Sequence, residues 1–255
     1  MQQLVSPRPA ARRLLLVIML LTAGAVFLAL NLPAHAAALT ESARQAKTSL
    51  YHGLRNRVLG PPLVGLQVGH LEAASHPQEL AALRVSTGGF GGGRFEVEVN
   101  QAVAVSLAER LGSHGIAVDL LPATVPPRYR ADLVVSIHAD SSPDTHRRGY
   151  KSAVFRPRRN PNDARLKAEL DRAYLAGSGL PDDDDNVTGN MLEYYAFNRH
   201  YRHSLARRTP AAIVELGYLT HPKDSQLLAT PDRVAALLET GIVSYLESTG
   251  RLPSD

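Results

Sequence analysis

Apolar positions along the chain fall into two periods. Between residues 97 and 111 they recur at Val99, Val103, Leu107 and Leu111, with Asn100, Glu109 and Arg110 between them. That spacing places one apolar face on a helix, and Gly112 and Gly115 bracket its end. Short apolar runs stand at 64–68, 116–121, 132–137 and 211–216, with a further one at 150–155. Runs of this length, bounded by Gly, Pro and polar residues, predict buried strands. Helices are predicted over 163–176, over 222–228 and from 231 to about 247, and a polar helical stretch around 190–207. Pro222 and Pro231 suit the first helical position. The glycine-rich stretch 88–93 predicts a flexible rim, and the acidic run Asp182 to Asp185 a solvated loop. Strands alternating with helices imply one α/β domain. Its sheet is expected to be twisted and mostly parallel, covered by helices on both faces.

The first residues carry a different pattern. Arg8, Arg12 and Arg13 precede an uncharged apolar run over 14–30, then Pro33 and Ala34-His35-Ala36. A basic start, an apolar run and a small-x-small site describe a signal peptide over 1–36. The run is also close to the length of a membrane anchor, which would occupy 14–32. Residues 37–62 read as a leader or linker, with a helix over 40–54 closed by Gly60-Pro61-Pro62, and the catalytic domain is expected over 63–250. Either N-terminal reading exports the domain to the periplasm, the cell envelope or the exterior. Membrane contact is expected only through this segment, if it stays uncleaved.

Export changes the meaning of the charge. The chain has 28 basic and 24 acidic residues, but three of its arginines lie in the first 36 residues, which carry no acid. The remainder is nearly balanced, so nothing points to nucleic acid. Cys is absent, which removes disulfides and thiolate metal sites. A metal must be held by His, Asp or Glu.

Such residues sit where strands end. His70 follows the 64–68 run, His138 follows 132–137, and Glu215 lies near the end of 211–216. Open parallel sheets bind ligands outside the carboxyl ends of their strands. Glu96 stands where the glycine-rich stretch meets the long helix. Two imidazoles and a carboxylate make a three-ligand zinc site with an open position, and a second carboxylate can move the proton of the attacking water. His70, Glu96 and His138 as ligands, with Glu215 as acid/base, fill these roles for metal-assisted amide hydrolysis. Glu98 and Glu72 are nearby carboxylates that could serve as ligand instead. Ser136, His138 and Asp140 lie too close in sequence for a convergent triad, and the glycine run lacks a Gly-Lys-Ser/Thr ending. Calcium at Asp182 to Asp185, and a glycan on Arg156, Arg158 and Arg159, are weaker readings than solvated surface.

At this point two segments resemble signatures of a known family. Ala131-Asp-Leu-Val-Val-Ser-Ile-His-Ala139 and Pro210-Ala-Ala-Ile-Val-Glu-Leu-Gly-Tyr-Leu219 are similar to segments of the zinc-dependent N-acetylmuramoyl-L-alanine amidases of the AmiC/CwlV type (Amidase_3). Glu96-Val-Glu-Val-Asn-Gln-Ala-Val-Ala104 resembles the start of that family's long helix, and Val68-Gly69-His70 takes the place of its first metal histidine. The resemblance runs from about 64 to 246. It implies Zn2+ as cofactor, peptidoglycan as substrate, and cleavage of the amide between N-acetylmuramic acid and L-alanine. The family pattern Asp-Pro-Gly-His-Gly-Gly is replaced here by Gln67-Val68-Gly69-His70-Leu71-Glu72. Loss of that Asp is expected to weaken the support of His70, and the loop 122–130 lacks the family's usual Thr-Arg start. Two rival readings are another exported zinc peptidase and a non-catalytic envelope-binding domain of the same fold.

Overall fold

The computed structural model describes residues 60–157 and 160–253. The apolar run, the cleavage pattern and the 40–54 helix expected from sequence lie outside the described residues, as do Arg158 and Arg159. Among the described residues no helix is long and apolar enough to cross a membrane.

Five strands form the main sheet. They are β1 (Leu63–Val68), β4 (Ala117–Leu121), β5 (Leu133–Asp140), β6 (Lys151–Ala153) and β7 (Ala211–Tyr218), in the order β4-β1-β5-β7-β6. β1, β4, β5 and β7 run parallel, and β6 alone is antiparallel. A two-residue hairpin, β2 (Phe90–Gly91) and β3 (Arg94–Phe95), precedes helix α1 (Glu96–Ser113). The other helices are α2 (Asp163–Ser178), α3 (Gly189–Leu192), α4 (Pro222–Leu228) and α5 (Pro231–Ser248).

Alternation along the strands separates two surfaces. One face presents Val64, Leu66 and Val68 from β1, Leu133, Val135 and Ile137 from β5, and Val214 and Leu216 from β7. On these three strands it is apolar, and Val103 and Leu107 of α1, Leu170 of α2 and Leu238 and Ile242 of α5 close over it. Each such fully buried side chain is worth about 1.5–3 kcal/mol, so this layer carries most of the stability.

The opposite face is covered differently. A polar helix was expected over 190–207; the structure has only the one-turn α3 and a 3-10 turn at Tyr195–Phe197, then irregular chain. Met191, Tyr194, Phe197 and Leu205 of this segment pack on Val134, Ala211 and Ile213. Along the same strands, this face also presents Gln67, Ser136, His138 and Glu215. The polar side chains thus gather under the cover that is not a long helix.

The two ends of the domain are clamped together. Arg251 donates to both Asp132 oxygens, at 2.6 and 2.7 Å, and to the Pro61 carbonyl at 3.2 Å. Asp132 also accepts from the Leu63 N–H at 2.8 Å. A bidentate guanidinium–carboxylate pair is among the stronger polar contacts, and this one fixes the starts of β1 and β5 against the C-terminus.

Candidate metal centre and its cleft

The carboxyl ends of β1 and β5 deliver the two histidines. The Gly69 N–H donates to the Ile137 carbonyl at 3.0 Å, which carries β1 pairing one residue further. His70 then takes a left-handed conformation, φ 65°, and turns its ring to the sheet edge. Its Nδ1 lies 2.9 Å from the Ser86 carbonyl. A carbonyl only accepts, so Nδ1 carries the proton. Nε2 is left facing Glu96, 3.2 Å from Oε1.

Glu96 is the first residue of α1, and it is buried. The helix N-terminus favours its negative charge. Oε2 accepts from the Gly89 N–H at 2.9 Å, and Oε1 accepts from Asn100 and from the Ala139 N–H, each at 3.3 Å. The Glu96 N–H in turn donates to the Gly89 carbonyl at 2.9 Å. The glycine stretch is therefore a tight hairpin holding a carboxylate, where sequence composition suggested a flexible rim.

His138 completes the group. Its Nδ1 is 3.0 Å from Glu96 Oε1, and its ring stands edge-on to that of His70, centroids 5.0 Å apart at 84°. Donor atoms of His70, Glu96 and His138 all lie within 4.8 Å of one another. Tetrahedral zinc with bonds of about 2.0–2.2 Å sets neighbouring ligand atoms about 3.3 Å apart. The separations of 3.2 and 3.0 Å fit that edge, and the donor set is one that zinc accepts. Glu98 and Glu72 are exposed and are not part of this group. Glu98 accepts from the Phe95 N–H at 3.0 Å at the start of α1.

Close packing fixes the His138 ring. A Cβ added to Gly69 would lie 2.4–2.6 Å from three of its ring atoms. We expect Gly69→Ala to displace the ring and weaken zinc binding by about 10-fold or more, the scale of losing ligand orientation. Chelator competition on the folded variant checks this, and unchanged affinity would show that the contact does not matter.

Charge follows burial and neighbours. Burial favours neutral Glu96, but the His138 and His70 rings that face it outweigh this and hold its carboxyl far below the ordinary 4.5. Burial works against a charge on His70, yet the hydrogen bond and charge of Glu96 outweigh it and raise its pKa above 6.5.

Glu215 faces the same cleft. It lies level with His138 on β5 and with Lys151 on β6, because each pairs with it in register. β7 is an inner strand, so Glu215 is not an exposed edge residue. Its Oε2 is shielded and has no hydrogen-bond partner. Burial, with the charges of Glu96 and Asp140 adding, raises its pKa well above 4.5, against the pull of Lys151. Part of the side chain still reaches the cleft, a cavity of about 460 Å³ also lined by His70, His138, Lys151, Tyr194 and Tyr201.

Several groups around the cleft leave no clear mark in the sequence. Lys151 is buried, paired with Asp140 and 2.9 Å from the Tyr218 hydroxyl. The Asp182 to Asp185 run is not simply solvated: Asp184 pairs with Lys167, and its Oδ1 accepts from the Ser152 N–H at 2.9 Å. The support of His70 comes from the Ser86 backbone, so the change from Asp to Gln67 does not remove it. Gln67 is buried and donates to the Ala123 carbonyl at 2.6 Å.

Comparison with known proteins places this arrangement. The chain is similar to the catalytic domain of CwlV, an N-acetylmuramoyl-L-alanine amidase from Bacillus (Paenibacillus) polymyxa var. colistinus, at 20% identity and a TM-score of 0.51, over 73% of this chain and 98% of that one. It is similar to the N-acetylmuramoyl-L-alanine amidase of Clostridium difficile 630 at 18% identity and a TM-score of 0.53, over 74% and 98%. The corresponding enzyme of Mycobacterium smegmatis matches at 18% identity and a TM-score of 0.55, over 73% and 97%. At these identities the likeness is one of fold. A search of the curated proteins returns no significant relative. The profile of the N-acetylmuramoyl-L-alanine amidases (Amidase_3) matches residues 64–244, which run from the second residue of β1 past β7 and include all four of His70, Glu96, His138 and Glu215. The chain belongs to the N-acetylmuramoyl-L-alanine amidase family.

Proposed function

We propose that the protein hydrolyses the amide joining N-acetylmuramic acid to L-alanine in peptidoglycan, with zinc held by His70, Glu96 and His138 and with Glu215 as general acid/base. The observation that carries this reading is the convergence of the three donors near a half-buried carboxyl whose shielded Oε2 has no partner and whose side chain reaches the same cleft. Zinc bound there would polarise the scissile carbonyl and lower the pKa of a water.

The chain's own residues do the rest. The Ser86 carbonyl keeps the proton of His70 on Nδ1 and its lone pair on Nε2. Gly89, Asn100 and Ala139 hold Glu96 ionised and turned inward. Glu215 takes a proton from the attacking water and returns it to the amide nitrogen as the C–N bond breaks. The products are the muramic lactyl carboxylate and the free amine of alanine. A carboxyl whose pKa burial has raised is suited to both transfers at neutral pH. Lys151, level with Glu215, supplies a fixed positive charge that keeps the carboxylate form accessible.

Peptidoglycan lies outside the cytoplasmic membrane, so this function requires export, in keeping with a signal peptide or anchor at 1–36. Digestion of purified muropeptides, with products read by mass spectrometry, tests the bond. Release of intact stem peptides supports the assignment; cleavage inside the stem would make the protein a peptidase instead.

Acidification provides a second test. Zinc must displace the proton that Glu96 helps His70 to retain, so protons and zinc compete. Because that pKa is raised above 6.5, zinc affinity should begin to fall above the ordinary histidine range and keep falling as pH drops. Affinity independent of pH between 8 and 5 would remove the histidines from the site.

A further inference from the structure

We propose that Tyr195 and Tyr194, set by Gln67, hold the proton of His138 on Nε2 and thereby present Nδ1 as its metal-binding nitrogen. This rests on the zinc reading above and concerns how one ligand is held.

The direction of every hydrogen bond follows from one group that has no choice. The Ala123 carbonyl only accepts. It receives the Tyr195 hydroxyl at 2.8 Å and Gln67 Nε2 at 2.6 Å. The opposite amide orientation of Gln67 would bring two acceptors together there, and Gln67 Oε1 is already taken by the Ser136 hydroxyl. Each phenol has one proton. Tyr195 has given its proton to Ala123, so towards its other two partners it accepts. These are Gln67 Nε2 at 3.2 Å and the Tyr194 hydroxyl at 3.3 Å. Tyr194 has therefore given its own proton to Tyr195. Towards His138 Nε2, 3.0 Å away, Tyr194 is left as an acceptor. Only a His138 protonated on Nε2 satisfies it, and zinc would then take the place of the proton that otherwise joins Nδ1 to Glu96 Oε1, 3.0 Å away.

Burial gives this relay its force. Gln67, Ser136, His138 and Tyr194 are all buried, and in such surroundings a hydrogen bond with two acceptors or two donors is costly. A partner that fixes the tautomer of a metal-binding histidine typically changes metal affinity by about 10–100-fold. Gln67 thus acts on His138 from the far side, three groups away, and not on His70 beside it in sequence.

The test is zinc affinity, measured by chelator competition on wild type, Tyr194→Phe and Tyr195→Phe. Tyr194→Phe should weaken zinc binding by about 10–100-fold. Tyr195→Phe should also weaken it, although Tyr195 touches neither the metal nor a ligand. There the freed Tyr194 proton can turn to Nε2 and favour the tautomer with Nδ1 blocked. A purely structural role would leave the affinity of folded Tyr195→Phe unchanged. On wild type, imidazole 15N NMR of the zinc-loaded protein should show His138 with zinc on Nδ1 and an exchange-protected Nε2–H, a reading that depends on no variant folding. The inference is overturned if folded Tyr195→Phe binds zinc within twofold of wild type, or if His138 binds zinc through Nε2. A wild type that takes up no zinc would instead overturn the proposed function itself, and this inference with it.

Discussion

Glu215→Gln should keep its zinc and lose its activity. The substitution preserves volume and leaves His70, Glu96 and His138 in place, and Glu215 is not part of that donor group. It removes the group able to take and return a proton. Loss of a general acid/base typically costs about 10²–10⁴-fold in rate, so kcat should fall in that range with zinc stoichiometry unchanged. A second readout separates this from damage to the fold. The carboxyl of Glu215 is shielded, lacks a partner on Oε2 and lies near the charges of Glu96 and Asp140. A neutral amide relieves that repulsion, so the melting temperature should hold or rise. A variant that cleaves muropeptides as fast as wild type would end the acid/base assignment.

His138→Ala should show the reverse order of losses, with zinc gone first. Two ligands cannot replace three, and Nδ1 of His138 lies only 3.0 Å from Glu96 Oε1. The fall in affinity should exceed the ~10–100-fold typical of losing a supporting group, with cleavage abolished at stoichiometric zinc. The variant also removes one partner of the Tyr194 hydroxyl, which keeps Tyr195, and one of Glu96 Oε1, which keeps Asn100 and the Ala139 N–H, so each lost contact should cost only about 0.5–1.5 kcal/mol. Metal analysis after gel filtration reads the first effect and denaturant unfolding the second. Zinc retained at wild-type affinity would place the metal elsewhere.

Much of this is legible in the sequence. The runs at 64–68, 132–137 and 211–216 became β1, β5 and β7 because continuous apolar runs mark strands buried on both faces. Residues at their carboxyl ends were then bound to meet at one edge, which is how His70, His138 and Glu215 could be singled out. Three features escaped for physical reasons. The chain around 190–207 has Met191, Tyr194 and Phe197 three apart, a spacing that α and 3-10 turns share, so its irregular path was read as helix. The glycine stretch was read as freedom, although its backbone serves Glu96. The support of His70 comes from a carbonyl, and every residue has one, so sequence gives no sign of it. Tyr194 and Tyr195 were hidden for the first of these reasons, since a helix would have pointed them in different directions.

The registry of His138, Glu215 and Lys151 has a consequence for tolerance. Three adjacent strands place them at one level, so their separations are multiples of the lateral strand spacing, about 4.8 Å, and owe little to loop conformation. The backbone acts as a ruler for the chemistry. Loops at the sheet edge, such as 122–130, can change length or composition without altering that scale. A one-residue insertion within β5 cannot, because it would send the 138 side chain to the helical face.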